Sequence, residues 1–158
     1  MKYQHRKRAK TTNNLFLCDN RYNVLALSDC IGGHHNDAYD LCLHFDQMLA
    51  SLDKGGIDYN LSHLNGDAGF DTKAFRAFVR EHQMTDNIPK NKRKSKNKGG
   101  NWDYFSQYIY AGRFKIEVVF AWCDTFKRTL VRFEWLAQNF KTWLLLAASL
   151  INFRNIVN

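Results

Sequence analysis

The feature that most restricts this chain's fold is the stretch 90–101. There Lys90, Lys92, Arg93, Lys94, Lys96 and Lys98 are interspersed with Asn, Ser and Gly, and no apolar residue intervenes. A segment with nothing to bury cannot offset its own ordering entropy, so a solvated loop is expected. It separates two regions of different character. Before it, short apolar runs alternate with helical stretches; after it, the apolar residues follow helical periods. A chain of 158 residues suffices for one domain with a core and is short for two. Residues 1–158 are therefore expected to form one unit, with a strand and helix part over 11–89, the basic loop over 90–101, and a helical part over 102–158.

Residues 15–18 and 24–30 are apolar runs around Asp19-Asn20-Arg21-Tyr22-Asn23, which is a hairpin signal. Gly32-Gly33 breaks the pattern, and Asn36 or Asp37 is placed to cap a helix from about Ala38. Leu41, Leu43, Phe45, Met48, Leu49 and Leu52 follow at roughly helical spacing, and Lys54-Gly55-Gly56 ends the helix. An extended stretch at 61–65 leads into Gly66-Asp67-Ala68-Gly69-Phe70. Asp71 is read as the cap of a second helix carrying Phe75, Phe78 and Val79, and 84–89 as a short strand. The order is strand, strand, helix, strand, helix, strand, which is an α/β pattern. Beyond the loop, 103–128 and 133–155 read as two helices. The second carries Phe133, Leu136, Ala137, Phe140, Leu144, Ala147, Ala148 and Ile151 on one side.

An apolar content of 45% and an aromatic content of 15% argue against disorder. The formal charge of +8 favours a polyanionic partner, namely DNA, RNA or an anionic membrane surface. The greasiest stretch, Trp143 to Ile151, falls well short of the ~20 residues of a membrane span. Lys2, His5, Arg6, Lys7, Arg8 and Lys10 precede no apolar run, so no signal peptide is expected. Cys18, Cys30, Cys42 and Cys123 lack CxxC pairing, which suits reduced thiols and a cytoplasmic location.

The residues that point to chemistry are Tyr110, Arg113 and Glu117, spaced by three and four. At about 100° per residue they fall within roughly 60° of one helix face. Metal-assisted phosphoryl transfer needs carboxylates converging on a hard divalent ion, each aimed by a helix or strand. Taken alone, a helical Glu beside an Arg is more often a surface ion pair, and Asp67 in Gly-Asp-Ala-Gly suits a turn equally well. Two further clusters have bland readings beside functional ones. Cys30, His34, His35 and Asp37 match no common zinc spacing and fit a capped helix start. Trp102, Tyr104, Phe105, Tyr108 and Tyr110 suit helix packing or base stacking.

Together, GDAGF, a helix, a strand, a basic loop and then Tyr-x-x-Arg-x-x-x-Glu resemble the DDE transposases of bacterial insertion sequences, which have a ribonuclease-H-like fold. HHND at 34–37 resembles that family's His-Asp turn, and the stretch from Phe120 to Arg154 its closing segment. The likeness spans residues 5–155. It implies that Asp67 and Glu117 are catalytic and hold Mg²⁺ (or Mn²⁺), with Tyr110 and Arg113 as companions. It also implies metal-dependent cleavage and strand transfer on double-stranded DNA at transposon ends and target, possible transposase oligomers and a nucleoid-associated setting. Lys90, Lys92, Arg93, Lys94, Lys96 and Lys98 would lie beside that DNA.

Two departures qualify this. The family has a Lys seven residues after the Glu; here that position is Asp124, with Lys127 and Arg128 a turn later as substitute DNA contacts. The family's first Asp sits on a central strand ahead of two others, whereas only two strands are expected here before the first helix. That strand and its Asp are expected upstream of Met1, with Asp19 and Asp29 as the nearby substitutes. The expectation is thus an α/β ribonuclease-H-like domain lacking its central strand, truncated and inactive alone. The alternative is a non-catalytic DNA-binding or inhibitory transposase fragment.

Overall fold

The computed structural model describes residues 2–4, 9–35, 38–91 and 105–157, with side chains from Thr12 onward. Among these residues, seven short strands and six α-helices make a mixed α/β arrangement. Strand β3 (Phe16–Cys18) pairs antiparallel with β4 (Val24–Leu27). The turn between them is built by Asp19, whose carboxylate accepts from the Arg21 and Asn23 amides at 2.7 and 2.9 Å. Tyr22 takes the left-handed conformation there, at φ 66°. An Asx-type turn of this kind replaces backbone pairing at a reversal.

Side chains of this hairpin divide between two cores. Ala26 packs with Leu41, Phe45, Met48, Leu49 and Leu52 of α1 (Leu41–Lys54) and with Phe75 and Val79 of α2 (Lys73–Glu81). Val24 and Leu27 pack with Val119 and Cys123 of α4 (Phe114–Asp124) and with Phe140, Leu144, Ala148 and Ile151 of α6 (Ala137–Val157). The hairpin is therefore an inner layer with helices on both sides. Its outer edge is closed by a side chain: the Asn152 amide of α6 accepts from Val24 N–H at 2.7 Å and donates to Val24 C=O at 2.8 Å.

The second strand pair, β6 (His63–Asn65) and β7 (Thr85–Asn87), is parallel and connected through α2. A buried polar network fixes α2 to β7. Arg76 pairs with Asp71 at 2.8 Å, with Asp86, and with the Ile88 carbonyl at 2.6 Å, while Arg80 reaches Asp86 at 2.7 Å.

Several expectations need correction. Among the described residues five strands, not two, precede α1. β1 (Lys2–Gln4), β2 (Ala9–Asn13) and β5 (Ile31–Gly32) form a separate sheet in the order β1-β2-β5, adding no strand to β3 or β6. Helix α1 begins at Leu41, later than Ala38, because Asp40 is in a left-handed conformation (φ 44°) that no helical residue adopts. Asn36 and Asp37 lie outside the described residues. Thr72, not Asp71, caps α2, its hydroxyl accepting from Phe75 N–H. Asp71 is committed instead to Arg76 and to the Asn91 amide.

The expected helix over 103–128 is interrupted. It comprises α3 (Gln107–Tyr110), a 3₁₀ turn (Ala111–Arg113), α4, and then a separate α5 (Lys127–Leu130). The last helix starts at Ala137, not 133, because Arg132 bonds Thr12 and the Glu134 and Trp135 carbonyls and holds a non-helical approach. Phe133, Leu136 and Ala137 are exposed and drop out of the expected stripe, as does Leu43 in α1.

Candidate active site

Asp67 follows β6 and precedes a 3₁₀ turn (Ala68–Phe70), so the end of a strand delivers its carboxylate. Gly66 allows that exit: a Cβ there would come within 3.3 Å of Ile88 and Phe70 side-chain carbons. Across from it, two asparagines, Asn87 buried and Asn65 half-buried, fix the start of α3. Asn87 donates to the Asn65 side chain at 2.7 Å and to Ser106 C=O at 3.1 Å, and accepts from Ser106 N–H at 2.7 Å. Asn65 in turn donates to Ile109 C=O at 2.9 Å. The strand tips thus clamp the helical run that carries Tyr110, Arg113 and Glu117. Nothing in the local sequence marks Asn65 or Asn87 as clamps, because their partners are more than fifteen residues away.

That clamp brings the four motif residues together. One nitrogen of Arg113 lies 3.0 Å from Asp67 Oδ1 and 3.0 Å from Glu117 Oε1, so the two acidic oxygens are no more than twice that distance apart. The Arg113 guanidinium sits 5.7 Å from the Tyr110 ring centroid. Burial pushes the Tyr110 hydroxyl above its ordinary value. Arg113 opposes this, while Asp67 adds to it through its charge and a hydrogen bond. Both carboxylates are 59% exposed, so solvent and a ligand can reach them.

Two hard oxygen ligands converging from a strand end and a helix suit a divalent cation in kind, with Arg113 holding the space between them. In number they fall short: no group of three His, Cys, Asp or Glu side chains that could hold a metal occurs among the described residues. The candidate substitutes are engaged elsewhere. Asp19 builds the hairpin turn, and Asp29 pairs with Lys141 at 2.7 Å.

Other sequence-predicted residues are dispersed. Lys92, Arg93, Lys94, Lys96 and Lys98, with Trp102 and Tyr104, lie outside the described residues; Lys90 closes the segment after β7. Lys127 is exposed at the start of α5. Arg128 pairs with the nearly buried Glu134 at 2.7 Å and lies 4.8 Å from the Trp143 ring centroid, so it braces α5 against α6. The ring of His35 stacks between His34 and Tyr39, and Cys30 bonds the Ala137 carbonyl. Phe105 packs on Tyr110, while Tyr108 is 91% exposed. No helix among the described residues is long and apolar enough to cross a membrane.

No curated protein and no solved structure matches this chain. A family model does: the transposase DDE domain matches residues 2–152, nearly the whole length. Transposases act on DNA, and this family generally uses divalent metal ions. With a match of that extent, the chain belongs to the transposase DDE domain family.

Proposed function

We propose that this chain is the catalytic part of a bacterial insertion-sequence transposase with a ribonuclease-H-like fold, in which Asp67 and Glu117 are two of three metal-holding carboxylates. The observation that carries this reading is their convergence on one Arg113 nitrogen from a strand end and a helix. Residues 11–89 supply Asp67, 90–101 the basic loop, and 102–158 the helices with Glu117. Mg²⁺ (or Mn²⁺) held there would neutralise phosphate charge and favour attack of a water or 3′-hydroxyl oxygen on phosphorus. The chain's own residues do the positioning. Arg113 keeps the two carboxylates in register when the site is empty and offers a cation to a phosphate when they turn to other partners. Tyr110, bonded to Asp67, restrains that carboxylate's rotation. Lys90, Lys92, Arg93, Lys94, Lys96, Lys98 and Lys127 are proposed to contact the phosphate backbone. Arg128 acts mainly through its brace to Glu134.

Among the described residues two carboxylates converge where three are needed, and two alone give a metal neither the charge nor the fixed geometry of three. We propose that the chain alone binds duplex DNA without cutting it. Incubated with duplex DNA and either metal, the isolated chain is expected to leave nicks and joined products at background. Metal-dependent cleavage that disappears in Glu117→Gln would overturn the claim of inactivity while supporting the site. Cleavage that survives Glu117→Gln would overturn the site itself.

A further inference from the structure

Helix α6 is apolar on two sides. Phe140, Leu144, Ala148 and Ile151 pack into the core shared with β4 and α4. On the other side Leu145, Leu146, Leu150, Phe153, Ile156 and Val157 are 44–79% exposed. At about 100° per residue these six span an arc of about 140° that excludes the buried positions. A surface helix ordinarily presents charge on such an arc, and a helix apolar all round is ordinarily buried. The only charged residues of α6, Lys141 and Arg154, fall outside the arc, and Lys141 is tied to Asp29 at 2.7 Å. Together the six side chains expose on the order of 600 Å², at the top of what a monomer ordinarily shows and close to the roughly 800 Å² each partner gives to a stable interface.

Within the arc, Asn139, Thr142, Leu146, Ser149, Phe153 and Ile156 follow at alternating spacings of three and four, the period of a helix–helix seam. Turned antiparallel about a two-fold axis between Ala147 and Ala148, this seam meets itself with Leu146 opposite Ser149, Phe153 opposite Thr142 and Ile156 opposite Asn139. A large side chain faces a smaller one in each layer, as interdigitation requires. The two hydroxyls are ready for burial: Thr142 donates to the Gln138 carbonyl at 3.0 Å and Ser149 to the Leu145 carbonyl at 2.9 Å. Covering them strands no polar group. The rest of this chain cannot supply the cover. Outside the described residues its apolar side chains are Met1, Trp102 and Tyr104, too few for a seam of about 25 Å. Charge points the same way. Two copies at +8 each repel, and they approach at least cost through a face that bears no charge.

We propose that the outer face of α6 binds the same face of a second copy of this chain, the two helices running antiparallel about a two-fold axis. The inference goes beyond the transposase reading and depends on neither metal binding nor DNA. The pairing buries Leu146 and Phe153 at the centre, with Leu145, Leu150 and Val157 flanking the seam.

The test is sedimentation equilibrium of the whole chain without DNA over a range of protein concentrations. A monomer–dimer equilibrium is expected, and salt should tighten it by screening the net charge. Phe153→Glu, at an exposed position, is expected to weaken it at least about tenfold. Leu43→Glu, at an exposed apolar position of α1, should leave it unchanged. Ser149→Leu separates a fitted seam from a merely greasy patch. It adds apolar surface but fills the space that Leu146 of the other copy occupies, so weakening of severalfold is expected. Tighter association in Ser149→Leu would overturn the antiparallel seam. A parent chain that stays monomeric throughout, or equal weakening by Leu43→Glu and Phe153→Glu, would overturn the face itself. So would a monomer that binds vesicles of neutral phosphatidylcholine through Phe153, which would assign the face to a lipid surface.

Discussion

Arg76 is the most consequential charged residue in the fold: its side chain is 8% exposed and it serves two carboxylates and a carbonyl at once. An Arg76→Met substitution keeps the bulk and strands the acids. Asp86 retains Arg80, so the cost is expected at the low end of the roughly 3–5 kcal/mol typical of a broken buried pair. Urea unfolding measures this, and an unchanged midpoint would contradict it. Asp71 makes the same network sensitive to acid. Burial alone would raise its carboxyl, but the Asn91 amide and the Arg76 guanidinium beside it hold it below the ordinary value of 3.8. A carboxyl depressed in the folded state contributes stability that is fully present above that value and is lost as pH falls beneath it. Thermal stability is therefore expected to fall as pH drops below about 4, and Asp71→Asn should flatten that part of the profile. A variant with the parent's acid sensitivity would show that other groups carry it.

Single side chains hold whole elements in place. Asn152 uses one amide group to satisfy both Val24 backbone groups, doing for the outer edge of β4 what a neighbouring strand would do. Losing those bonds in Asn152→Leu leaves a backbone donor and acceptor unpaired at about 1–3 kcal/mol. The expected signature is faster amide exchange at Val24 together with a lower unfolding midpoint; slow exchange at Val24 would mean water or a shifted helix replaces the amide. The asparagine clamp on α3 works likewise at the site, where Asn65 and Asn87 hold the carbonyls and the amide around Ser106 to Ile109. A 3₁₀ turn follows at Ala111–Arg113, tighter than the α-helix on either side. It lets Gly112 approach Asn20 and Asn65 while Arg113 reaches Asp67.

For the molecule as a whole, the net charge of +8 bears on the proposed partner. Binding to duplex DNA is expected to weaken steeply with salt. Replacing Lys92, Arg93 and Lys94 by Ser should reduce the log–log slope by about 0.9 for each phosphate that is no longer neutralised. An unchanged slope would remove the loop from the interface. Among the described residues, β3–β4 and β6–β7 are separate strand pairs that line one cavity.

The hairpin around Asp19, the apolar faces of α1 and α6, and the pairing of a Gly-Asp turn with Tyr-x-x-Arg-x-x-x-Glu were legible in the sequence. Each depends on local spacing, turn chemistry or periodicity, which short windows encode. Helix starts were less legible. Asp40 in a left-handed conformation and the Arg132 anchor override the local pattern through backbone geometry and long-range bonds. The extra sheet β1-β2-β5 also escaped, because β2 is polar and carries no alternating signal. What only the tertiary structure decided is distance: that Asp67 and Glu117 meet at one nitrogen, and that three asparagines serve as clamps. Sequence spacing dictates which residues share a face, whereas packing of separate elements dictates which faces meet.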